Sequence, residues 1–301
     1  MDSSYTKYIN DMWYLPKATL LRIFVLTGLG LFFAIKNPFH TMAVDDTLFF
    51  LPVFFLISSA KLVAIFTAIL LGTGTCIYLY SADWLYMVGL LSAIIFTVPL
   101  TSLLHITSHG CIRPRWLNRL LGEFSAISQL SSFTDWMVMH ALHHIHVDDP
   151  KLDPHPPDGK TYWTYIRNMK ANAVNVYVKA FQRKHGSKKN FELCLKVFIL
   201  LSKIQTYVFI LFWYFLLGPK LFISGLVFSI AVKTLHYAWF NWRTHKALEN
   251  GNVEILNLDG GIYTIFNLLS YNMYYHGNHH NQMYTANPKK IINRALHKKA
   301  S

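Results

Sequence analysis

The stretch Trp84 to His109, WLYMVGLLSAIIFTVPLTSLLHITSH, decides how the chain is read. Its first part, residues 84–104, has no charged side chain and is close to the ~20 residues that cross a hydrocarbon core. Two histidines, His105 and His109, follow at once with H-x-x-x-H spacing. A potential membrane helix thus ends in a pair of metal-ligating side chains.

Working outward, residues 18–35, 62–80, 197–217 and 221–235 are apolar runs of similar kind, and 47–58 is a shorter one that fits either a short span or a re-entrant segment. Of 301 residues, 53% are hydrophobic and 14% charged, against about 25% charged in an average soluble domain. The reading is a multi-pass membrane protein of all-α class. The first apolar run follows Lys7 and Lys17 and reads as a retained span. Cys76, Cys111 and Cys194 are scattered with no C-x-x-C pair, which argues against disulfides and thiolate metal sites.

The net charge of +13 is unevenly spread. Residues 111–192 hold twelve Lys/Arg against seven Asp/Glu, and residues 241–301 hold seven against three. The connectors 37–46 and 81–83 carry acids and no Lys or Arg. The positive-inside rule places both basic blocks, and the histidines with them, on the cytoplasmic side. The basic balance is explained by topology and anionic headgroups, so nucleic acid is not expected as a partner. The chain reads as one domain: membrane spans in 1–104, a first polar block in 105–192, a membrane hairpin in 193–240 and a second polar block in 241–301.

Two more clusters join the first among the 15 histidines: His140-Ala-Leu-His143-His144 and His276-Gly-Asn-His279-His280. On a helix, positions i, i+3 and i+4 share a face, so each cluster presents its imidazoles together. Eight nitrogen ligands exceed one metal's needs and suit a pair. All-imidazole sets suit Fe, Zn, Cu or Ni. H-E-x-x-H is absent and no thiolate joins the clusters. Two irons that activate O2 make the best chemical sense of the set.

These residues resemble the membrane fatty-acid desaturase superfamily, the histidine-box di-iron enzymes that include desaturases, hydroxylases and ketolases. His105-Ile-Thr-Ser-His109-Gly110 with Leu117-Asn118-Arg119-Leu120-Leu121-Gly122 is similar to the first box and the segment after it. His140 to His144, trailed by Asp153-Pro154-His155, is similar to the second. Tyr275-His276-Gly277-Asn278-His279-His280 is similar to the third. The resemblance implies transmembrane helical hairpins capped by a cytosolic histidine-rich di-iron domain. It implies iron ligation by His105, His109, His140, His143, His144, His276, His279 and His280, with His236 the candidate for a ninth ligand. Asp149, Asp153, His146 and His155 are candidates for support around the ligands, alongside Asp148.

The function expected is O2-dependent desaturation of a fatty-acyl or lipid-linked chain. No H-P-G-G, G-x-G-x-x-G or cysteine cluster occurs, so an external donor is expected: a ferredoxin or b-type cytochrome with its reductase. Hydroxylation or ketolation of an apolar substrate is the alternative on the same scaffold. A membrane metal transporter or haem electron carrier is the alternative of another class. Transport would want polar residues within several spans, where Arg22, Thr27, Lys203, Gln205 and Lys233 are the notable ones.

Overall fold

The computed structural model describes residues 7–8, 10–36, 84–157, 159–248 and 253–291. The expected spans at 47–58 and 62–80 lie outside the described residues. Among those described, three helical segments are long and apolar enough to cross a membrane: Tyr14–Lys36 (α1), Trp84–Ser108 (α2) and the 54-residue stretch Phe191–Thr244. At ~1.5 Å per residue the last would be ~80 Å long, more than twice a ~30 Å hydrocarbon core.

That stretch is a hairpin. Gly218, at φ 72 and ψ 167, takes a conformation open to glycine, and Pro219 follows it. They end the ascending arm within Phe191–Leu221 (α6). A π-helical turn, Phe222–Val227, opens the return arm, Phe228–Thr244 (α7). Trp213 of the first arm packs against Phe222 and Leu226 across the bend. Side by side with α6 runs α1, with Gly30 against Phe212. Side by side with the return arm runs α2. A Cβ on Gly89 would fall 1.9 Å from Ser224 Oγ, so only glycine permits this approach. Outward-facing Phe24, Ile35, Ile94 and Ile95 remain exposed, as lipid-facing side chains do.

Three further helices lie between α2 and the hairpin: Arg115–Ile127 (α3), Phe133–Ile145 (α4) and Tyr162–His185 (α5). The second histidine cluster, helical by its spacing, is carried by α4. Ser132 caps that helix, its hydroxyl accepting from Asp135 N–H at 3.3 Å. The all-α expectation is corrected by one small feature. After α7 the chain forms two antiparallel strands, His245–Ala247 (β1) and Val253–Ile255 (β2), with His245 opposite Ile255. Helix Ile262–Leu269 (α8), the short helix His276–Asn281 (α9) and a 3-10 turn, Pro288–Lys290, complete the described chain.

A buried ionic cluster ties the first span to the rest. Arg22 of α1, 6% exposed, donates to Glu123 Oε2 at 2.8 Å and Oε1 at 3.0 Å. It also donates to Ser132 Oγ at 3.1 Å, Thr134 Oγ1 at 3.1 Å and Gln205 Oε1 at 3.0 Å. One guanidinium therefore joins α1, α3, the start of α4 and α6.

Candidate metal centre

The last turn of α2 presents His105, and His109 stands just past its end. The final turns of α4 present His140, His143 and His144. Residue 245 ends α7 and opens β1. The short helix α9 presents His276, His279 and His280. Local packing fixes each carrier. Asn118 binds Thr107 O through its side-chain amide at 2.8 Å and accepts Ile112 N–H at 3.1 Å, holding the chain beyond the first box. A Cβ on Gly277 would lie 2.7 Å from Ile255 O, so this glycine lets α9 close on β2. Asn278 accepts from Asn257 Nδ2 at 2.9 Å and donates to Pro288 O at 3.1 Å. The non-histidine members of the boxes are thus fixtures of the carriers.

Nine imidazoles gather into two groups, each with ligand atoms within 4.8 Å of one another. His105, His109, His140, His144 and His279 form the first; His143, His245, His276 and His280 form the second. Instead of aiming three rings together, the helical boxes divide them. On α4 the i, i+4 pair His140 and His144 joins the first group and His143 the second. On α9 the pair His276 and His280 joins the second group and His279 the first. The groups adjoin, with the rings of His144 and His280 4.4 Å apart.

The nitrogens suit a cation. In the first group, Nε2 atoms are separated by 2.8 Å (His105–His279), 2.7 Å (His109–His140), 3.2 Å (His140–His144) and 3.3 Å (His144–His279). In the second, His276 lies 3.0 Å from His245 and 3.1 Å from His280. Metal–imidazole bonds of ~2.1 Å at right angles would set neighbouring nitrogens ~3.0 Å apart. Hydrogen bonding alone serves them poorly. A neutral ring nitrogen either donates or accepts, so this run would crowd two donors onto one lone pair. His143 Nε2 is buried with no hydrogen-bond partner.

Burial and mutual repulsion favour the neutral form of six of the rings. Burial, with repulsion from the neighbouring His143, brings His109 down to about 3. Burial and neighbouring imidazoles likewise hold His140, His144, His276, His279 and His280 far below the usual histidine range. Neutral imidazole is the form that binds metal.

Two carboxylates support the second group. Asp153 receives His143 Nδ1 at 2.9 and 3.0 Å, and Asp148 Oδ2 receives His245 Nδ1 at 2.7 Å. Burial works to raise the Asp153 carboxyl, but the charge and hydrogen bond of His143 outweigh it and hold it below the ordinary range.

The structure brings all eight box histidines together. His236 lies outside both groups, with Nε2 3.2 Å from the Tyr274 hydroxyl, and His245 supplies the ninth imidazole. Asp149 accepts the N–H groups of Lys151 and Leu152 in its own turn, and Asp148 touches a group imidazole. His146 caps α4 outside both groups. His155 is buried, its ring 6.5 Å from that of His143, and burial lowers it to about 4.

An apolar cavity of about 250 Å³ lies between α2 and the hairpin, lined by Ala93, Phe96, Leu100, Trp213, Leu226 and Ser229 among others. The next residues along α2, Thr101, Ser102 and His105, line a second small cavity with His236, Tyr237 and Phe240. The two cavities follow one another along α2, the smaller one beside His105 of the first imidazole group.

The family model described as fatty acid desaturase matches residues 82–287, more than half of the chain. The chain belongs to the fatty acid desaturase family. The match opens at the start of α2 and closes beyond α9, so both imidazole groups fall inside it. No curated protein and no solved structure matches the chain. A fatty acid desaturase is an oxidoreductase that modifies acyl chains in a membrane setting, and these groups fit a metal site within one.

Proposed function

We propose that this fatty acid desaturase holds one iron in each imidazole group and uses O2 to introduce a double bond into a fatty-acyl or lipid-linked chain. One observation carries the reading: two adjoining all-imidazole groups stand at the end of a membrane-length helix whose flank lines an apolar cavity. His105, His109, His140, His144 and His279 would ligate one iron, and His143, His245, His276 and His280 the other. Irons bound there would supply the oxidant needed to remove hydrogen from an unactivated C–H bond, chemistry that acid–base side chains lack.

The protein's own groups orient and shelter that site. Asp148 and Asp153 hold two imidazoles by their Nδ1–H groups, leaving each Nε2 lone pair free for metal. Phe240 meets the His276 ring edge-on at 4.6 Å, and the Trp136 plane lies along His140 at 5.9 Å, shielding the centre from water. The cavity beside α2 would align an acyl chain with its reacting carbons near His105. Forming the double bond takes two electrons from the substrate, whereas reducing O2 to two waters takes four, so the remaining pair comes from a ferredoxin or b-type cytochrome with its reductase. The chain is read as multi-pass with its histidines on the cytoplasmic side, a placement supported by the basic excess of the blocks that carry them.

The test is metal analysis of detergent-purified protein followed by mass analysis of lipid products under O2 with a reductant. Iron in both groups and a product lighter by two hydrogens are expected. A product that gains oxygen would reassign the reaction to hydroxylation or ketolation. Zinc in a well-folded active sample, or sustained turnover without reductant, would overturn the proposal.

A further inference from the structure

Residues 148–153 bridge two histidines that reach the second group from separate elements. Asp153 is fully buried and takes His143 Nδ1 from α4. Asp148 has a side chain 3% exposed and takes His245 Nδ1 from β1. The carboxylates are themselves joined: Asp148 N–H donates to Asp153 Oδ2 at 2.7 Å, and His155 N–H donates to Asp153 Oδ1 at 2.7 Å. Asp148 reaches this position with φ 60, a left-handed conformation that aspartate tolerates better than most residues. In the first group, among the described residues, no imidazole Nδ1 has a carboxylate partner. The support is one-sided.

We infer that Asp148 and Asp153 act as a single clamp for the second metal, so that the occupancy of the second imidazole group can be weakened independently of the first. The inference rests on the two-iron reading above and adds an inequality between the sites. The physical reason is twofold. A carboxylate on Nδ1–H fixes the tautomer that points a lone pair at the metal, and it raises the basicity of that ring. Because the Asp148 backbone N–H is spent on Asp153 Oδ2, removing the Asp153 carboxylate also frees the backbone that places the Asp148 carboxylate on His245. Both are positioning residues, since neither carboxylate belongs to a group that would ligate metal.

The experiment loads the full-length protein with iron(II) without oxygen and titrates in a competing chelator, reading iron per chain. Asp148→Gly removes the carboxylate while tolerating the positive φ. It is expected to release the second-group metal at 10- to 100-fold lower chelator concentration, with the first-group metal retained as in the unaltered protein. Asp148→Asn keeps an acceptor for His245 Nδ1–H at the same backbone conformation, and is expected to recover much of the loss. Asp149→Ala, next door and outside both groups, is expected to release both metals like the unaltered protein. If Asp148→Gly fails to fold, Asp153→Ala, which removes the acceptor, carries the same expectation through His143. Loss of both metals together, or release curves unchanged for Asp148→Gly and Asp153→Ala, would overturn the clamp. An unaltered protein that takes up no iron would instead remove the two-iron reading, an outcome distinguishable before any variant is made.

Discussion

His236 and His245 sit on one continuous helical path, yet only the second reaches a metal group. His236 lies part-way along α7 and meets Tyr274; His245 is the first residue beyond the helix, where the backbone turns extended at φ −111. For His245→Ala, roughly half of the bound iron should be lost, because a group cut from four imidazoles to three binds much more weakly. His236→Ala should retain its iron, read by metal analysis on both proteins. The eight box histidines were legible from helical spacing. His245 was not, since it has no i+3 or i+4 histidine and the apolar run stops at Leu235. The signal that could have found it is amphipathic continuation: residues 237–244 stay helical although Asn241 and Arg243 interrupt the apolar pattern. Asp148 and Asp149 are equal candidates in the sequence, because two adjacent acids look alike until the turn is built. A pH prediction also belongs at this scale. His109 and His155 are depressed to about 3 and about 4 by burial, whereas unfolded histidine titrates near ~6.5. The unfolded chain binds more protons between those values, so this stability is full above ~6.5 and is lost as pH falls toward 4 and 3. Each group can contribute up to ~1.4 kcal/mol per pH unit within that window. Thermal melts of metal-free protein at pH 7.5 and 5 should show the lower-pH sample melting earlier.

Between elements, the decisive contact is the Arg22 cluster. The guanidinium brings a charge into the flank of a membrane-length helix, where an uncompensated cation would be costly. Glu123 compensates it, and Ser132, Thr134 and Gln205 occupy its other hydrogen-bonding positions. Arg22→Met should therefore leave Glu123 with only the partly exposed Arg119 as ion-pair partner and cost about 1–3 kcal/mol. Adding Glu123→Gln removes the under-compensated charge and should recover part of the loss. Equal melting temperatures for the single and double variants would refute this coupling. Sequence reading marked Arg22 only as a polar residue within a span, because its partners lie on three elements distant in the chain. Other elements were more or less legible for physical reasons of the same kind. The helix α4 carries a visible start signal, Ser132 with Asp135 three residues on, and its histidines recur at helical spacing. The strands β1 and β2 are three residues each, too short for an alternating pattern to declare itself.

Taken as a whole, the molecule uses α2 twice: its end gives histidines to the first metal group, and its flank lines the apolar cavity shared with the hairpin. The spans at 18–35, 84–104 and 197–235 could be read from apolar length alone. The cavity could not, because it depends on which faces meet, and that is set by Gly89 approaching Ser224 and by the bend at Gly218. If the cavity receives the acyl chain, filling it should block substrate while sparing the metal groups. Ser229 is suited to this test: it lines the cavity on α7, and its hydroxyl is engaged only with Leu226 O, at 2.8 Å. Ser229→Phe would project a ring into space that now holds no side chain. Overpacking of that kind costs about 1–3 kcal/mol at most sites, which a stable fold survives. Iron content should be unchanged, because no imidazole lines the cavity. Conversion of long acyl chains should fall about tenfold or more, corresponding to ~1.4 kcal/mol of lost transition-state binding. Phe24→Ala on the outward face of α1 should leave conversion intact and serves as the comparison. Should Ser229→Phe lose iron, the cavity wall and the metal groups are one packing unit. If iron and conversion both survive, the acyl chain reaches His105 by another route and the cavity's role is refuted.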